Sequence, residues 1–112
     1  MFIHTVNIAD LPLAPDEATH VLDEIVNVIR FNYKWRAMKV VHGNGGMSHA
    51  SALKNIVRNW ANRNREKFKG IVPGEKYSQL NPTILEMQKV CGTFADPDLG
   101  VENSGVTLIW VK

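Results

Sequence analysis

The sequence is poor in the features that mark secreted, membrane-spanning or extended proteins. Its 112 residues include one cysteine, Cys91, so no internal disulfide can form, and no Cys/His group has the spacing of a structural zinc site. A reducing, cytoplasmic setting is expected. The most apolar run, Val106–Val111, is far shorter than the ~20 residues that cross a bilayer. The opening residues Met1, Phe2, Ile3 and His4 lack the basic and apolar regions of a signal peptide. No repeat or low-complexity tract is present, and no membrane partner is expected. Another absence concerns charge of one sign: residues 1–29 contain no Lys or Arg.

What is present suits a single globular core. Hydrophobic residues make up 45% and charged residues 21% of the chain, near globular averages, and the length supports one domain over 1–112 and not two. The formal net charge of +2 is a cancellation. Residues 1–29 carry five acids and no base (−5). Residues 30–69 carry ten bases against Glu66 alone (+9), and residues 70–112 carry three bases and five acids (−2). Ordinary surface helices interleave the two signs, whereas a block of ten bases to one acid is the footprint of phosphate contacts.

Periodicity predicts a strand over residues 2–8, where Phe2, His4, Val6 and Ile8 alternate with Ile3, Thr5 and Asn7. A helix follows from Pro15, with Asp16 and Glu17 at its positive end and Ala18, Val21, Leu22, Ile25, Val28 and Ile29 at helical spacing. A second strand over residues 35–41 empties into His42-Gly43-Asn44-Gly45-Gly46. A long helix from Ser48 or Ser51 to about Phe68 then presents Leu53, Ile56, Val57 and Trp60 on one face and Lys54, Arg58, Asn62 and Arg65 on another. Residues 69–80 show no period and read as an irregular insertion, extending to about 87 through a short helix capped by Asn81-Pro82. A strand over residues 89–94, a turn-rich loop and a strand over Val106–Val111 complete the chain, the last two strands forming an antiparallel hairpin. The expected product is a two-layer α/β sandwich, a mixed four-stranded sheet with two main helices.

The glycine turn ahead of a basic helix is the most suggestive chemistry. Its free amides and the helix N-terminus suit an anion. The P-loop pattern fails for want of a lysine at Gly46-Met47-Ser48, and the dinucleotide fingerprint fails at Ser48. His42 and, seven residues on, His49 are candidate proton carriers, while His4 and His20 read as strand and helix-surface residues. Tyr33 and Trp35 offer stacking surfaces; Trp60 and Trp110 read as core.

Three segments in order resemble the small MutS-related domain, Smr. Val40-Val41-His42-Gly43-Asn44-Gly45 is similar to the family's strand and His-Gly-x-Gly. Leu53-Lys54-x-x-Val57-x-x-Trp60 is similar to its Leu-Arg-x-x-Val-x-x-Trp helix, and Gly105 to Lys112 resembles its closing strand. The family's opening Leu-Asp-x-His-Gly falls on Val6-Asn7-Ile8-Ala9-Asp10, where acid, histidine and glycine are replaced, and about four extra residues lie between Gly45 and Leu53. The resemblance implies a fold like the C-terminal domain of translation initiation factor three, and binding of DNA or RNA with, in several members, nicking or cleavage. The implied contacts are His42, Gly43, Asn44, Gly45, Gly46, Lys54, Arg58 and Arg65. For cleavage, His42 and Asp10 are the candidates, with a divalent metal as the cofactor of such a nuclease. A protein-interaction module, pairing the acidic helix of one copy with the basic block of another, is the third reading.

Overall fold

The first helix forms where the sequence gathers N-terminal signals. Pro15 opens it, Asp16 and Glu17 occupy its first turn, and Glu17 accepts a hydrogen bond from the Ala14 amide at 3.1 Å. A computed structural model of the chain describes residues 1–10, 13–32, 34–43 and 48–112, with the side chains of 48–51 outside the description. The order is β1 (Ile3–Asn7), α1 (Pro15–Arg30), β2 (Ala37–Val41), α2 (Ser48–Arg63), a 3-10 turn at Arg65–Lys67, β3 (Phe68–Pro73), a second 3-10 turn at Gly74–Lys76, α3 (Pro82–Cys91) and β4 (Val106–Val111).

The sheet runs β1-β2-β4-β3. β1 and β2 are parallel, joined through α1, and β4 is antiparallel to both of its neighbours. Every residue of β4 is buried, which explains why it reads as a continuous apolar run: a central strand covered on both faces has no polar side to alternate with. On one face Met38, Val40, Ile109 and Val111 pack under Leu22 and Val26 of α1 and Leu53, Val57 and Trp60 of α2. On the other, Ala37, Leu108 and Trp110 pack with Val72, Tyr77 and, from α3, Ile84 and Met87.

A helix on each face corrects the expectation of two main helices in two layers, and with it the likeness to the C-terminal domain of translation initiation factor three. α3 is longer than the short helix anticipated. Asn81 caps it by accepting from the amides of Thr83 (2.9 Å) and Ile84 (3.3 Å), and it continues to Cys91. Consequently residues 89–94 are no strand. Val90 points outward, 57% exposed, and Gly92, at φ 98°, ends the helix.

The missing strand lies in the segment read as irregular. β3 pairs with β4 across a register shift between Phe68 and Gly70, and such a bulge breaks the two-residue period by which a strand is recognised. The antiparallel hairpin expected between residues 89–94 and Val106–Val111 is therefore absent: β4 pairs with β3 and β2 instead, and α3 and a long loop separate β3 from β4.

Candidate functional site

The parallel strands β1 and β2 define two ends of the molecule. At their carboxyl end the amides of His42 and Gly43 both donate to the Gly105 carbonyl at 3.0 Å. Gly43 has φ 77°, a left-handed conformation that favours glycine. The turn is thereby clamped to the start of β4. Its continuation, Asn44, Gly45 and Gly46, lies outside the described residues, as does the His49 side chain.

His42 faces inward under α2 and is fully buried. Its Nε2 lies 2.9 Å from Thr107 Oγ1 and its Nδ1 2.8 Å from the Gly43 carbonyl. Thr107 Oγ1 accepts from Arg58 Nε at 3.2 Å. A hydroxyl that accepts from arginine gives its own proton to Nε2, which leaves Nδ1–H to donate to Gly43. This is a neutral imidazole with both nitrogens engaged. Burial, followed by the positive charges of Arg58 and Lys54, pushes its pKa below the ordinary 6.5.

Arg58 is equally committed. Nη1 and Nη2 donate to the two carboxylate oxygens of Glu75 at 3.1 and 2.6 Å, and Nη2 also reaches the carbonyls of Ser104 and Val106. Lys54 Nζ stands 3.9 Å from the same carboxylate. The hydrogen bond from Arg58 holds the Glu75 carboxyl well down, at about 2. The turn that delivers Glu75 requires Gly74, where a Cβ would sit 1.8 Å from the Asn103 carbonyl oxygen. Glu75 and Thr107 were not among the residues singled out from sequence. Thr107 sits within an apolar run, and the one signal for Glu75 is the Pro73-Gly74 turn before it.

A second network removes another base from the surface. Lys39, in β2, pairs with Asp96 and Asp98 at 2.7 Å each, and Asp96 also accepts from the Tyr77 hydroxyl at 2.8 Å. Burial alone would lower the Lys39 pKa, but the two carboxylates raise it above its ordinary value. Asn103 donates to Asp98 at 2.9 Å, so this buried group anchors the loop leading to β4. The three charges lie 57 and 59 residues apart, which is why no local pattern announces them.

The opening-motif segment lies beside this end, because the amides of Ile8 and Ala9 both donate to the Val41 carbonyl, at 2.9 and 3.1 Å. Asn7 accepts from Ala9 N at 2.9 Å, a local turn. Asp10 is exposed, whereas His42 points into the protein. Among the described residues no group of three His, Cys, Asp or Glu side chains is placed to hold a metal ion, and no cavity opens.

At the amino end of the parallel strands the charge differs. α1 and α2 both run back to this end and finish there in Arg30 and Arg63. Arg36 is held at the start of β2, its carbonyl accepting from Val111 N at 3.0 Å, and Lys112 N donates to the Lys67 carbonyl at 3.1 Å. Lys69 Nζ lies 5.0 Å from the Trp110 ring centroid. Arg65, grouped with Lys54 and Arg58 by helical periodicity, belongs here, in the 3-10 turn beyond α2. None of these bases enters an ion pair among the described residues, and Glu66 is the acid among them.

No family model and no curated protein matches the sequence. Among solved structures, the Smr domain of Thermus thermophilus MutS2 matches with a TM-score of 0.58 at 18% identity, over 97% of this chain and 98% of that one. Across nearly its whole length, the chain has the fold of that Smr domain.

Proposed function

We propose that this domain binds nucleic acid. The observation that carries the reading is uncompensated charge. Of the ten bases between residues 30 and 69, Lys39 is buried against two aspartates and Lys54 and Arg58 share Glu75, while the other seven have no carboxylate partner among the described residues. Bases that no carboxylate neutralises keep a counterion atmosphere, and exchanging it for phosphates favours binding of a polyanion. The Smr-like fold and the motif resemblance support the same reading.

At the carboxyl end the contact proposed is the turn from His42 to Gly46 with Lys54 and Arg58. There the Glu75 carboxylate takes the place that a phosphate would take, since a guanidinium fork binds either group in the same bidentate manner. Binding at this end therefore exchanges Glu75 for phosphate, and Glu75→Gln raises affinity. Cleavage has less support, because His42, with both ring nitrogens engaged and its pKa lowered, offers no free lone pair to a water.

The test is titration of the protein with labelled single- and double-stranded DNA and RNA across a range of salt. Affinity is expected to fall steeply as salt rises. No binding to any of the four at about 50 mM salt, or binding indifferent to salt, overturns the reading.

A further inference from the structure

We propose that the principal phosphate-contacting surface lies at the amino end of the parallel strands, opposite the glycine turn, and consists of Arg36, Arg63, Arg65, Lys67, Lys69 and Lys112. This rests on the nucleic-acid reading and locates it on a surface that the motif resemblance does not point to.

Backbone contacts assemble the surface. Lys112 N bonds to the Lys67 carbonyl, Val111 N bonds to the Arg36 carbonyl, and Phe68 pairs with Val111, so three chain segments meet within one strand spacing. The 3-10 turn at Arg65–Lys67 continues α2 onto this junction. Gly70, next to Lys69, pairs with Trp110, and Ala37, next to Arg36, pairs with the same residue, so both bases flank one end of β4. Arg63, Arg65, Lys67, Lys69 and Lys112 are exposed and Arg36 is partly so. Their heads are in water, where bound counterions can be released to a nucleic-acid backbone; this release supplies most non-specific affinity.

The two ends differ in what a phosphate must displace. At the carboxyl end it must replace a carboxylate held at 2.6 and 3.1 Å. At the amino end it replaces solvent and counterions, with carbonyl contacts at Arg36 and Arg65 as the protein's own competitors. Acids also follow the carboxyl ends of the parallel strands: Asp10 lies beyond β1, Asp16 and Glu17 open α1, Glu75 is in the turn after β3 and Glu102 precedes β4.

An anionic membrane is the other polyanion to consider. A lipid-binding surface sets its bases around an apolar face that inserts. Here the exposed apolar side chains of this end are spread over separate elements, Val28 and Phe31 at the end of α1, Met1 ahead of β1 and Val90 near the end of α3, whereas the bases belong to α2, the following turn, β3 and the end of β4. Phe31, 84% exposed, precedes Asn32, whose carbonyl accepts from the Arg36 guanidinium, and an exposed ring next in sequence to that contact suits stacking on an unpaired base.

The experiment compares Arg63→Gln/Arg65→Gln/Lys67→Gln with Lys76→Gln in the same titrations, the fold of each checked by circular dichroism and urea unfolding. The triple variant is expected to lose at least tenfold in affinity at about 0.1 M salt, and to lower the slope of log K against log salt by about 2 to 3. Lys76→Gln, an exposed base at the carboxyl end outside both sets of contacts, is expected to change affinity less than threefold. Single Lys67→Gln, lowering the slope by about 0.7 to 0.9, serves if the triple variant folds poorly. A folded variant with wild-type affinity and slope overturns this placement and leaves nucleic-acid binding standing at other contacts. Wild-type protein that binds phosphatidylglycerol vesicles, or that self-associates in a salt-sensitive way, while ignoring all four oligonucleotides overturns the nucleic-acid reading itself.

Discussion

Two stretches of α2 and the turn after it carry the same kinds of residue and meet opposite fates. In the middle of the helix, Lys54 and Arg58 converge on Glu75, and Arg58 holds Thr107, which in turn holds His42. Near its end, Arg63, Arg65 and Lys67 meet no carboxylate in an ion pair among the described residues. The first group is part of how the protein folds and the second part of what it presents. A stretch of ten bases therefore divides into charges that stabilise and charges that are available, and the division follows the tertiary position of a few acids.

That contrast gives its own tests, because removing a base should cost stability at one kind of site and affinity at the other. The largest loss is expected for Lys39→Met, which strands the buried Asp96 carboxylate and its neighbour Asp98. Breaking a buried ion pair by deleting one partner costs about 3 to 5 kcal/mol, read as a lower urea midpoint. An unchanged midpoint would mean that the pair carries no weight. Arg58→Met comes next, at about 2 kcal/mol, because hydrogen bonds to charged groups are each worth about 1.5 to 3 kcal/mol and the site is partly exposed. It should also turn His42 into a group with a free neighbour, visible as altered imidazole nitrogen shifts by NMR.

Acid should weaken the interactions of His42, Glu75 and Asp98, whose pKa values folding lowers. The His42 pKa is lowered on folding, so the unfolded chain takes up a proton that the folded one refuses, and stability falls as pH drops below about 6.5. Glu75, at about 2 when folded and 4.5 ordinarily, contributes stability above pH 4.5 that is lost as pH falls towards 2. Since Glu75 is 42% exposed, its share is screened to about 1 kcal/mol. Urea unfolding at pH 7, 5 and 3 measures these losses, and Glu75→Gln should reduce the loss between pH 5 and 3, leaving the share of Asp98, while keeping the first step. Smallest of all is the stability change for Arg63→Gln/Arg65→Gln/Lys67→Gln, within about 0.5 kcal/mol. A larger loss would show that these bases are structural after all, and would remove the contrast between the ends.

Local signals marked most elements correctly. Pro15 with its two acids, Asn81-Pro82 and the six-residue apolar run of β4 each act within one turn or one strand, where the backbone's needs are set by near neighbours. β3 was invisible for the converse reason: its bulge, with Pro73 and Gly74, erases the period, and its partner β4 is more than thirty residues away. The far end of α3 was misread because alternation over four residues suits a strand and a helix end equally well.

The sequence by itself determined that the chain combines helices with a mixed sheet, that a glycine-rich stretch precedes a helix bearing bases, and that positive charge concentrates between residues 30 and 69. Periodicity, capping residues and composition are local, and they need no partner to be read. Only the tertiary structure decided which of those charges are available. Glu75 reaches Arg58 across 17 positions and Asp96 and Asp98 reach Lys39 across 57 and 59, because a folded chain pairs charges by distance in space. The sign of a segment is a sum over sequence, whereas a surface that can hold phosphate is what remains after that pairing.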